Sequence, residues 1–284
     1  MSNNKILAVV VVYNPDRELL HRNIESFINY VDKVLIWNNT PDDKHHSSCI
    51  LQINTDKIDY LGTGENVGIS SALNQAWKFA KQMGFDFILT MDQDSVWYDF
   101  EQYKDAVILK NKKEICICGP YALENINEKP LVQDFQPYRW QITSGMLIHT
   151  SLLDCIGGYN EFFKVDCVDI ELCLRAKLKG YNSYYCPVGF LLQRYGAFSI
   201  RHILGRSIYY VYYNPSRIKG ILEGHLLLYR YYKDPALKME AKRYVNNAIR
   251  SILIGVNVPR LAIIKAIVQG LSRGLFYPLS KVFA

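Results

Sequence analysis

The sequence predicts an α/β fold, a mostly parallel sheet flanked by helices, followed by a C-terminal helical extension. Apolar, β-branched runs such as Ile6–Tyr13 are typical of strands buried on both faces, and they alternate with amphipathic stretches of helical period. The order within the first 95 residues is strand, helix, strand, strand, helix, strand, which is typical of a parallel sheet. The predicted strands are 6–13, 31–37, 57–61 and 85–91, and the predicted helices begin at Asp16 and at Ser70 or Ser71.

The remainder of the chain divides into two regions of different character. From about Asp99 the pattern predicts further helices (from Asp99, and at 152–156 and 169–179) and strands (within 115–119, and at 143–149 and 184–192). After Ile200, long helical patterns rich in Tyr and Leu continue without further strand signals. We therefore expect one domain over 1–200, with two halves that meet near residue 98, and a helical, basic, amphipathic region over 201–284.

The positive charge of the chain is concentrated at its C-terminal end. The whole chain carries +6, whereas the segment from Ala236 onward holds eight Lys or Arg and one acid, Glu240, so the residues before it sum to −1. Proteins that bind nucleic acid usually carry a basic surface over the fold itself. This distribution argues against nucleic acid as a partner.

Cysteine usage and the N-terminus indicate the cellular compartment. The seven cysteines are an odd number and lack the spacing of zinc or redox sites, so we expect reduced thiols. Met1–Lys5 is polar, and Ile6–Val12 is too short for the apolar part of a signal peptide. Together these features predict a cytoplasmic protein.

The C-terminal helices combine apolar and basic residues. No uninterrupted apolar run approaches the roughly 18 residues that a membrane-spanning helix requires. Basic amphipathic helices suit an anionic membrane surface, which predicts peripheral attachment to the inner face of the cell membrane. The alternative is a helix that packs on its own domain or on a sister subunit of a homo-oligomer.

Polar residues follow several of the predicted strands. Tyr13 and Asn14 follow the first strand, Asn38–Thr40 the second, and Asp92–Asp94 the fourth. In an open α/β sheet, ligands bind beyond the carboxyl ends of the strands, so these residues predict a shared crevice. Asn and Asp also favour ordinary turns, and for the two Asn-bearing ends a turn is sufficient explanation.

Asp92 and Asp94 are harder to explain as turn residues. Two carboxylates two positions apart at a strand end would point the same way and repel each other unless a cation lay between them. Mg²⁺ and Mn²⁺ take oxygen ligands and complete their shells with substrate phosphates. The pair therefore predicts a divalent metal bound together with a diphosphate.

Two further segments carry candidate binding or catalytic groups. Asn66-Val67-Gly68, leading to Asn74, predicts a helix N-terminus that could hold a phosphate or ribose, although an Asn cap with a turn glycine explains it equally well. The segment from Asp166 to Arg175 places three carboxylates at the start of a helix. Glu171 fits the common preference for acids in a first helical turn.

The other two acids of this segment, Asp166 and Asp169, lie among apolar neighbours and are better candidates for a site. A carboxylate near the metal could act as a general base and remove the proton of an attacking hydroxyl group. Arg175 could either bridge to a carboxylate or remain a solvated helix charge, and we favour the bridge.

Taken together, these residues resemble the family-2 inverting glycosyltransferases of the GT-A fold, and most of all the bacterial rhamnosyltransferases that build surface polysaccharides. The resemblance extends from about Ile6 to Asn214, and its strength lies in the order and spacing of short pieces. The pieces are Val11–Pro15, Asn38–Thr40, Glu65–Ile69 with Ala72 and Asn74, Asp92–Ser95, Ser144–Met146, Ile156–Tyr159, Val168–Glu171 with Leu174, Arg175 and Gly180, and Tyr209–Tyr210 with Asn214.

The resemblance implies a role for each matched position. It implies a GT-A-like catalytic domain with a nucleotide-sugar half before residue 98 and an acceptor half after it. Asp169 matches the catalytic base, while Asp92 and Asp94 would hold the metal and diphosphate. The expected donor-binding residues are Tyr13, Asn14, Asn39, Asn66, Asn74, Asp92 and Gln93, and the expected acceptor-binding residues are Ser144, Gly145, Asp166 and Arg175.

The sequence departs from the family pattern at two places. The family often has a histidine after the base that completes the metal shell, and Gln193 stands there in this chain. Because Gln193 occupies the position of that histidine, we expect it to be the third metal ligand. An amide oxygen is a feasible but weaker ligand, so the affinity for the metal would be lower. The arginine that usually precedes Asn214 is Tyr213, which would alter acceptor or membrane contacts.

The expected function is transfer of a sugar, with inversion, from a nucleotide-diphospho-sugar to a saccharide acceptor on a lipid carrier, in O-antigen or capsule synthesis. The resemblance implies dTDP-rhamnose as the donor, with a galactofuranosyl or hexopyranosyl donor as the alternative. One rival is a nucleotidyltransferase of similar fold, although Tyr13–Asp16 lacks a glycine-rich, basic loop for a triphosphate. The other is a non-catalytic nucleotide-sugar-binding subunit in which Gln193 marks lost metal binding.

Overall fold

The computed structural model describes residues 4–41, 56–125, 130, 132–193, 197–203 and 206–283. The described residues form two compact units. The first contains the chain up to Lys164 and from Val168 to Gln193. The second contains Val165–Cys167 and the described residues from Ala197 onward.

The first unit is built on a mixed sheet with the order β3-β2-β1-β4-β8-β6-β9-β5, and β7 pairs with β9 beside it. Pairing is parallel for β3-β2-β1-β4 and for β6-β9, whereas β8 runs antiparallel between β4 and β6. The strands are β1 Ile6–Val12, β2 Lys33–Asn38, β3 Ile58–Gly62, β4 Phe87–Asp92, β5 Val96–Tyr98, β6 Ile117–Leu123, β7 Gln136–Pro137, β8 Met146–His149 and β9 Ser183–Leu192.

Helices flank this sheet, and their ends follow local sequence signals. The Asp16 side chain accepts a hydrogen bond from the Leu19 amide at 3.1 Å, which confirms it as the N-cap of the first helix. Gly84, in the left-handed conformation, ends the second. The helices of this unit are α1 Arg17–Glu25, α2 Ile69–Met83, α3 Phe100–Lys113, α4 Thr150–Ile156 and α5 Val168–Leu178.

The prediction of a buried parallel sheet is confirmed. In β1, six of the seven residues are buried, at odd and even positions alike, so both faces of the strand are covered. The four parallel strands predicted before residue 95 all form, with small shifts in their ends. The short strands β5 and β7 were not predicted.

Helix α5 carries Asp169 and is anchored by a buried ion pair. Glu171, only 1% exposed, accepts two hydrogen bonds from the Arg175 guanidinium, at 2.9 and 2.8 Å. The same guanidinium donates to the carbonyl oxygens of Gly158, at 2.8 Å, and Ile156. The pair thus ties the first turns of α5 to the end of α4.

The second unit contains a hairpin and three long helices. Its elements are β10 Ala197–Ile203, β11 Arg206–Tyr212, α6 Pro215–Tyr232, α7 Pro235–Ile254 and α8 Arg260–Phe276. The expectation of helix alone after Ile200 is therefore wrong, because the Tyr-rich stretch at 209–212 lies in β11, paired with β10. Among the residues that the structure describes, no helix is both long and apolar enough to cross a membrane.

We expect Arg175→Ala to lower the free energy of unfolding by about 3–5 kcal/mol, because it leaves the buried Glu171 carboxylate without its cation. Chemical denaturation followed by circular dichroism measures this change. The control is Lys81→Ala, which removes an exposed ion pair with Asp154 and should cost less than about 1 kcal/mol. Equal losses in the two variants would contradict a structural role for the pair.

Candidate active site

The carboxyl ends of β1 and β4 are joined by the side chain of Gln93. Its Oε1 accepts from the Tyr13 amide at 2.8 Å, and its Nε2 donates to the Tyr13 carbonyl at 3.2 Å. Gln93, predicted to contact the donor, thus has its amide engaged with the backbone after β1. The Tyr13 ring is 41% exposed and accessible from solvent.

The ends of β1 and β2 are joined by a similar chain of contacts. The amide of Asn14 donates to Thr40 Oγ1 at 2.8 Å, and the amide of Thr40 donates to Asn38 Oδ1 at 2.9 Å. Asn14 takes a positive φ of 43°, a conformation that asparagine tolerates better than most residues. The residues at these two strand ends therefore form turns, which was the alternative to a role in ligand binding.

Asn39 and Asn66 organise the loop that leads into α2. The buried Asn39 donates to the Gly68 carbonyl at 3.1 Å, and its Oδ1 accepts from Trp37 Nε1 at 3.2 Å. The Gly68 amide donates to Asn66 Oδ1 at 3.0 Å. Gly68 has φ of 87°, and a Cβ there would lie 2.9 Å from the Lys164 carbonyl oxygen, so only glycine fits.

Asn74, in α2, is buried and bonded to the loop that follows α4. It exchanges hydrogen bonds with the Tyr159 backbone, at 2.7 and 2.9 Å, and donates to Glu161 at 2.8 Å. Hydrogen bonds from Asn74 and Ser71 lower the pKa of the Glu161 carboxyl. The structure thus gives Asn39, Asn66 and Asn74 framework contacts, and their contact with a nucleoside stays a prediction.

The two carboxylates of the Asp-x-Asp motif differ in environment. Asp92 is the last residue of β4 and is half-buried, whereas Asp94 lies in the following turn and is exposed. The expectation from strand alternation that the two side chains point the same way therefore does not apply, because β4 ends before Asp94. The buried Asn23 holds this turn by donating to the carbonyl oxygens of Asp92, at 2.9 Å, and of Ser95.

Gln193 lies beside Asp92, as the metal hypothesis requires. Its Nε2 donates to Asp92 Oδ2 at 2.9 Å, while its Oε1 is buried without a hydrogen-bond partner among the described residues. The oxygen and nitrogen of a side-chain amide are assigned from their hydrogen-bond partners. In the opposite orientation of the Gln193 amide, its Oε1 would face Asp92 Oδ2, an arrangement that suits two ligands of one cation. The donor set of two carboxylates and an amide therefore fits a hard divalent ion.

A group of three or more His, Cys, Asp or Glu arranged for a metal does not occur in the part of the chain that the structure describes. Asp92, Asp94 and Gln193 supply two such carboxylates and one amide. Any ion bound there would therefore take further ligands from a bound substrate or from water.

The loop before β8 connects the two halves of the site. Ser144 is buried, and its Oγ accepts from the Asp92 amide at 3.1 Å and donates to Ser95 Oγ at 3.0 Å. Gly145 has φ of 83°, and a Cβ there would lie 2.6 Å from the Pro120 ring. Their predicted contact with an acceptor stays a prediction.

Asp169 is half-buried at the start of α5 and faces the same loop. Its Oδ2 accepts from the Thr143 amide at 3.2 Å, and its Oδ1 accepts from the Ile170 amide at 2.8 Å. Thr143 in turn accepts, at its carbonyl oxygen, a hydrogen bond from Thr90 Oγ1 in β4. Adjacent residues, Thr143 and Ser144, thus contact the predicted base and the predicted metal ligand.

The other two predicted acceptor residues have protein partners. Asp166 belongs to the second unit, where its Oδ1 accepts from Arg217 Nε at 3.2 Å. Burial raises the pKa of the Asp166 carboxyl, and the Arg217 charge opposes this effect. The prediction that Arg175 bridges to a carboxylate is confirmed by its pair with Glu171. An acceptor contact by either residue stays a prediction.

Sequence reasoning missed Asn23, Thr90 and Thr143, which fix the loops around the site. Each acts through a partner more than fifty positions away along the chain. The available signal for two of them was a polar residue among apolar ones: Thr90 inside the apolar strand β4, and Asn23 on the helix face that also carries Leu20.

The sequence of the chain is similar to that of a known transferase. The chain is 25% identical over 207 residues to the dTDP-rhamnosyl transferase RfbF of Shigella flexneri, covering 65% of this chain and 67% of that protein.

Two solved structures share the fold at 13% identity. GalNAc-T7 with UDP, GalNAc and Mn²⁺ aligns with a TM-score of 0.59 over 82% of this chain, which spans about half, 49%, of that protein. S. aureus TarS 1–349 with UDP-GlcNAc aligns with a TM-score of 0.57 over 94% of this chain and 81% of that one. The predicted GT-A-like fold is confirmed.

The family model described as glycosyl transferase family 2 matches residues 7–164, more than half of the chain, and its match ends before Asp169 and Gln193. This match includes the ends of β1, β2 and β4 and the Thr143–Gly145 loop. The family predicted from the sequence is thereby confirmed: the chain belongs to glycosyl transferase family 2.

Proposed function

We propose that this family-2 glycosyltransferase transfers rhamnose from dTDP-rhamnose, with inversion, to a saccharide acceptor on a lipid carrier during O-antigen or capsule synthesis at the inner face of the cell membrane. The likeness to a dTDP-rhamnosyl transferase over 65% of the chain supports this donor over the galactofuranosyl and hexopyranosyl alternatives. The basic C-terminal segment supports the membrane location.

The observation that carries the proposal is the link between Asp92 and Asp169 through two adjacent residues. The Asp92 amide donates to Ser144 Oγ, and the Thr143 amide donates to Asp169 Oδ2. A donor diphosphate held at Asp92 would therefore lie beside the same loop that contacts the Asp169 carboxylate. Fixing the two reactants in this way converts a bimolecular step into an effectively unimolecular one.

Asp169 acts as the general base in the proposed reaction. The acceptor hydroxyl gives its proton to an Asp169 carboxylate oxygen, and its oxygen forms a bond to the anomeric carbon. The bond from that carbon to the diphosphate oxygen breaks on the opposite face, and the nucleotide diphosphate leaves with the electron pair. The Thr143 amide orients the Asp169 carboxylate for this step.

Asp92, Asp94 and Gln193 are the residues that would hold a divalent ion in the proposed site. Two observations support this part of the proposal: Mn²⁺ in the GalNAc-T7 structure, and the Gln193 Oε1, which is buried without a hydrogen-bond partner among the residues that the structure describes. When bound, Mg²⁺ or Mn²⁺ supplies positive charge that offsets the negative charge developing on the diphosphate. Gln93 and Asn23 keep the turn that carries both aspartates in place.

We expect Asp169→Asn to reduce the rate of transfer by about 10²–10⁴-fold, because an amide cannot accept the acceptor proton. Release of nucleotide diphosphate in the presence of acceptor measures transfer, and calorimetry measures donor affinity, which should stay nearly unchanged. Asp154→Asn, a surface carboxylate of the same unit, is the matched control. Normal turnover by Asp169→Asn would refute the base assignment.

We expect chelation to abolish transfer and Mn²⁺ or Mg²⁺ to restore it. Gln193→Ala should raise the Mn²⁺ concentration needed for half-maximal activity by about 10-fold, since it removes one ligand of the site. Electron paramagnetic resonance of Mn²⁺, with the nucleotide diphosphate present, measures binding independently of activity. The control is Gln102→Ala, an exposed glutamine on α3. Full activity in chelator would exclude the metal.

We expect dTDP-rhamnose to be hydrolysed faster than UDP-galactofuranose, UDP-glucose or UDP-GlcNAc by at least about 10-fold, because discrimination through hydrogen bonds to donor hydroxyls is typically of this size or larger. A screen of nucleotide-sugars that detects nucleotide diphosphate release measures the preference. Turnover of another donor would overturn the assignment of the sugar. Binding of donors without any turnover would favour the non-catalytic alternative.

A further inference from the structure

We propose that one side of α8 inserts into the surface of an anionic membrane, with a defined row of apolar side chains as the inserting face. We call this row the α8 face; it consists of Leu261, Ile264, Val268, Leu275 and Phe276. The inference deepens the proposed function and rests on it in one respect, since a lipid-linked acceptor gives the enzyme a reason to lie on a membrane.

The opposite side of α8 is already packed inside its own unit. Ile263, Ala266, Gly270 and Gly274 are buried, and Ile263 and Ala266 join a core with α6. A Cβ at Gly270 would lie 2.8 Å from the Lys219 carbonyl oxygen, and one at Gly274 would lie 2.7 Å from Leu226 Cβ. The α6 and α8 backbones therefore approach closely through these glycines, and the internal packing of α8 does not need the α8 face.

The side chains of the α8 face are apolar, yet each of them is largely exposed to solvent. Leu261 is 83% exposed, Ile264 46%, Val268 61%, Leu275 49% and Phe276 80%. Positions 261, 264, 268 and 275 are separated by three, four and seven residues, so they form one row along the helix. Contiguous exposed apolar rows of this kind mark interaction or membrane surfaces more often than free surface.

The charge around this face selects the partner. After Glu240 the sequence contains seven Lys or Arg and no Asp or Glu. Lys265 follows Ile264 within the helix, and Lys281 lies in the short turn after it. An apolar row with basic neighbours matches a membrane of anionic lipids, whose headgroups attract Lys and Arg while the acyl region receives apolar side chains.

A second copy of the chain fits this surface less well. Arg273 of α8 is paired with Glu223 of α6, whereas Lys265 adjoins the α8 face; pairing two α8 faces would bring the Lys265 side chains of the two copies together, and like charges across an interface oppose association. Insertion across the bilayer is also excluded for the described helices, because none is long and apolar enough. The geometry thus points to a helix lying in the membrane surface.

The test compares two triple variants in the full-length protein. Leu261→Gln, Val268→Gln and Phe276→Gln together remove the most exposed members of the α8 face. Met83→Gln, Leu109→Gln and Leu178→Gln make the same kind of change at residues of the first unit that are 57%, 57% and 70% exposed. We expect the first set to weaken co-sedimentation with phosphatidylglycerol vesicles by at least about 10-fold, and the second to leave it unchanged.

A charge variant keeps the test decisive if the first triple variant folds poorly. Lys265→Ser with Lys281→Ser should weaken binding to phosphatidylglycerol vesicles by about 5-fold for each cation removed, with little effect on neutral phosphatidylcholine vesicles. Wild-type protein that stays in the supernatant with anionic vesicles would overturn the proposal. So would a dimer, seen by light scattering, that the α8-face variant dissociates.

Hydrolysis of dTDP-rhamnose, measured without vesicles, separates this inference from the proposed function. All of these variants should hydrolyse the donor at the wild-type rate, because none of the substituted residues belongs to the candidate site. Vesicle binding without donor turnover would overturn the proposed function alone. Donor turnover without vesicle binding would overturn the α8 face alone.

Discussion

The antiparallel pairing of β8 with β4 is the interaction on which the candidate site depends, because it returns the chain to the end of β4. The Gly145 amide donates to the Thr90 carbonyl at 2.7 Å, and Thr90 Oγ1 donates to Thr143. These bonds set Thr143 and Ser144 beside Asp92, and Thr143 then orients Asp169. Asp92 is thus held through its backbone amide, and the Asp169 carboxylate is held by the amides of Thr143 and Ile170. The geometry of the candidate site is a consequence of sheet register, and the loop needs glycine at position 145 to make the turn.

The sequence predicted the parts of the site whose signals are local. Asp92 ends a buried strand, and Asp169 begins a helix among apolar neighbours, so strand-end logic and motif spacing located both. The roles of the asparagines could not be separated in the same way. Asn39 and Asn74 lie in the loops or helix where a nucleoside pocket was expected, yet their partners include Gly68 and Tyr159, remote along the chain. Whether an amide faces a ligand or the framework depends on those remote partners, which sequence spacing does not reveal.

The two errors of fold prediction have related physical causes. In β11, aromatic and β-branched residues occupy consecutive positions 208–212, so the alternation that identifies a half-buried strand is absent. Its long-range stabilisation comes from pairing with β10 and from Asn247, whose side chain exchanges two hydrogen bonds with the Val211 backbone. The alternation of side chains along β4 does not extend to Asp94, because the strand ends at Asp92. In both cases tertiary contacts, rather than local preference, decide the conformation, so the apolar–polar alternation of the sequence does not predict it.

The position of Gln193 beside Asp92 has a consequence for the order of events in the proposed site. A neutral amide oxygen binds a hard cation more weakly than a carboxylate does, and Asp94 is exposed to water. The two aspartates and the amide alone would therefore hold Mg²⁺ or Mn²⁺ loosely, and a donor diphosphate would supply the remaining oxygens. Binding of metal and donor is then coupled, and by thermodynamic reciprocity each raises the affinity of the other by the same factor. In the structure, the Gln193 side-chain amide donates to Asp92 Oδ2 at 2.9 Å. Rotation of the Gln193 side-chain amide would replace this hydrogen bond with an amide oxygen that faces Asp92 and is available to a bound cation.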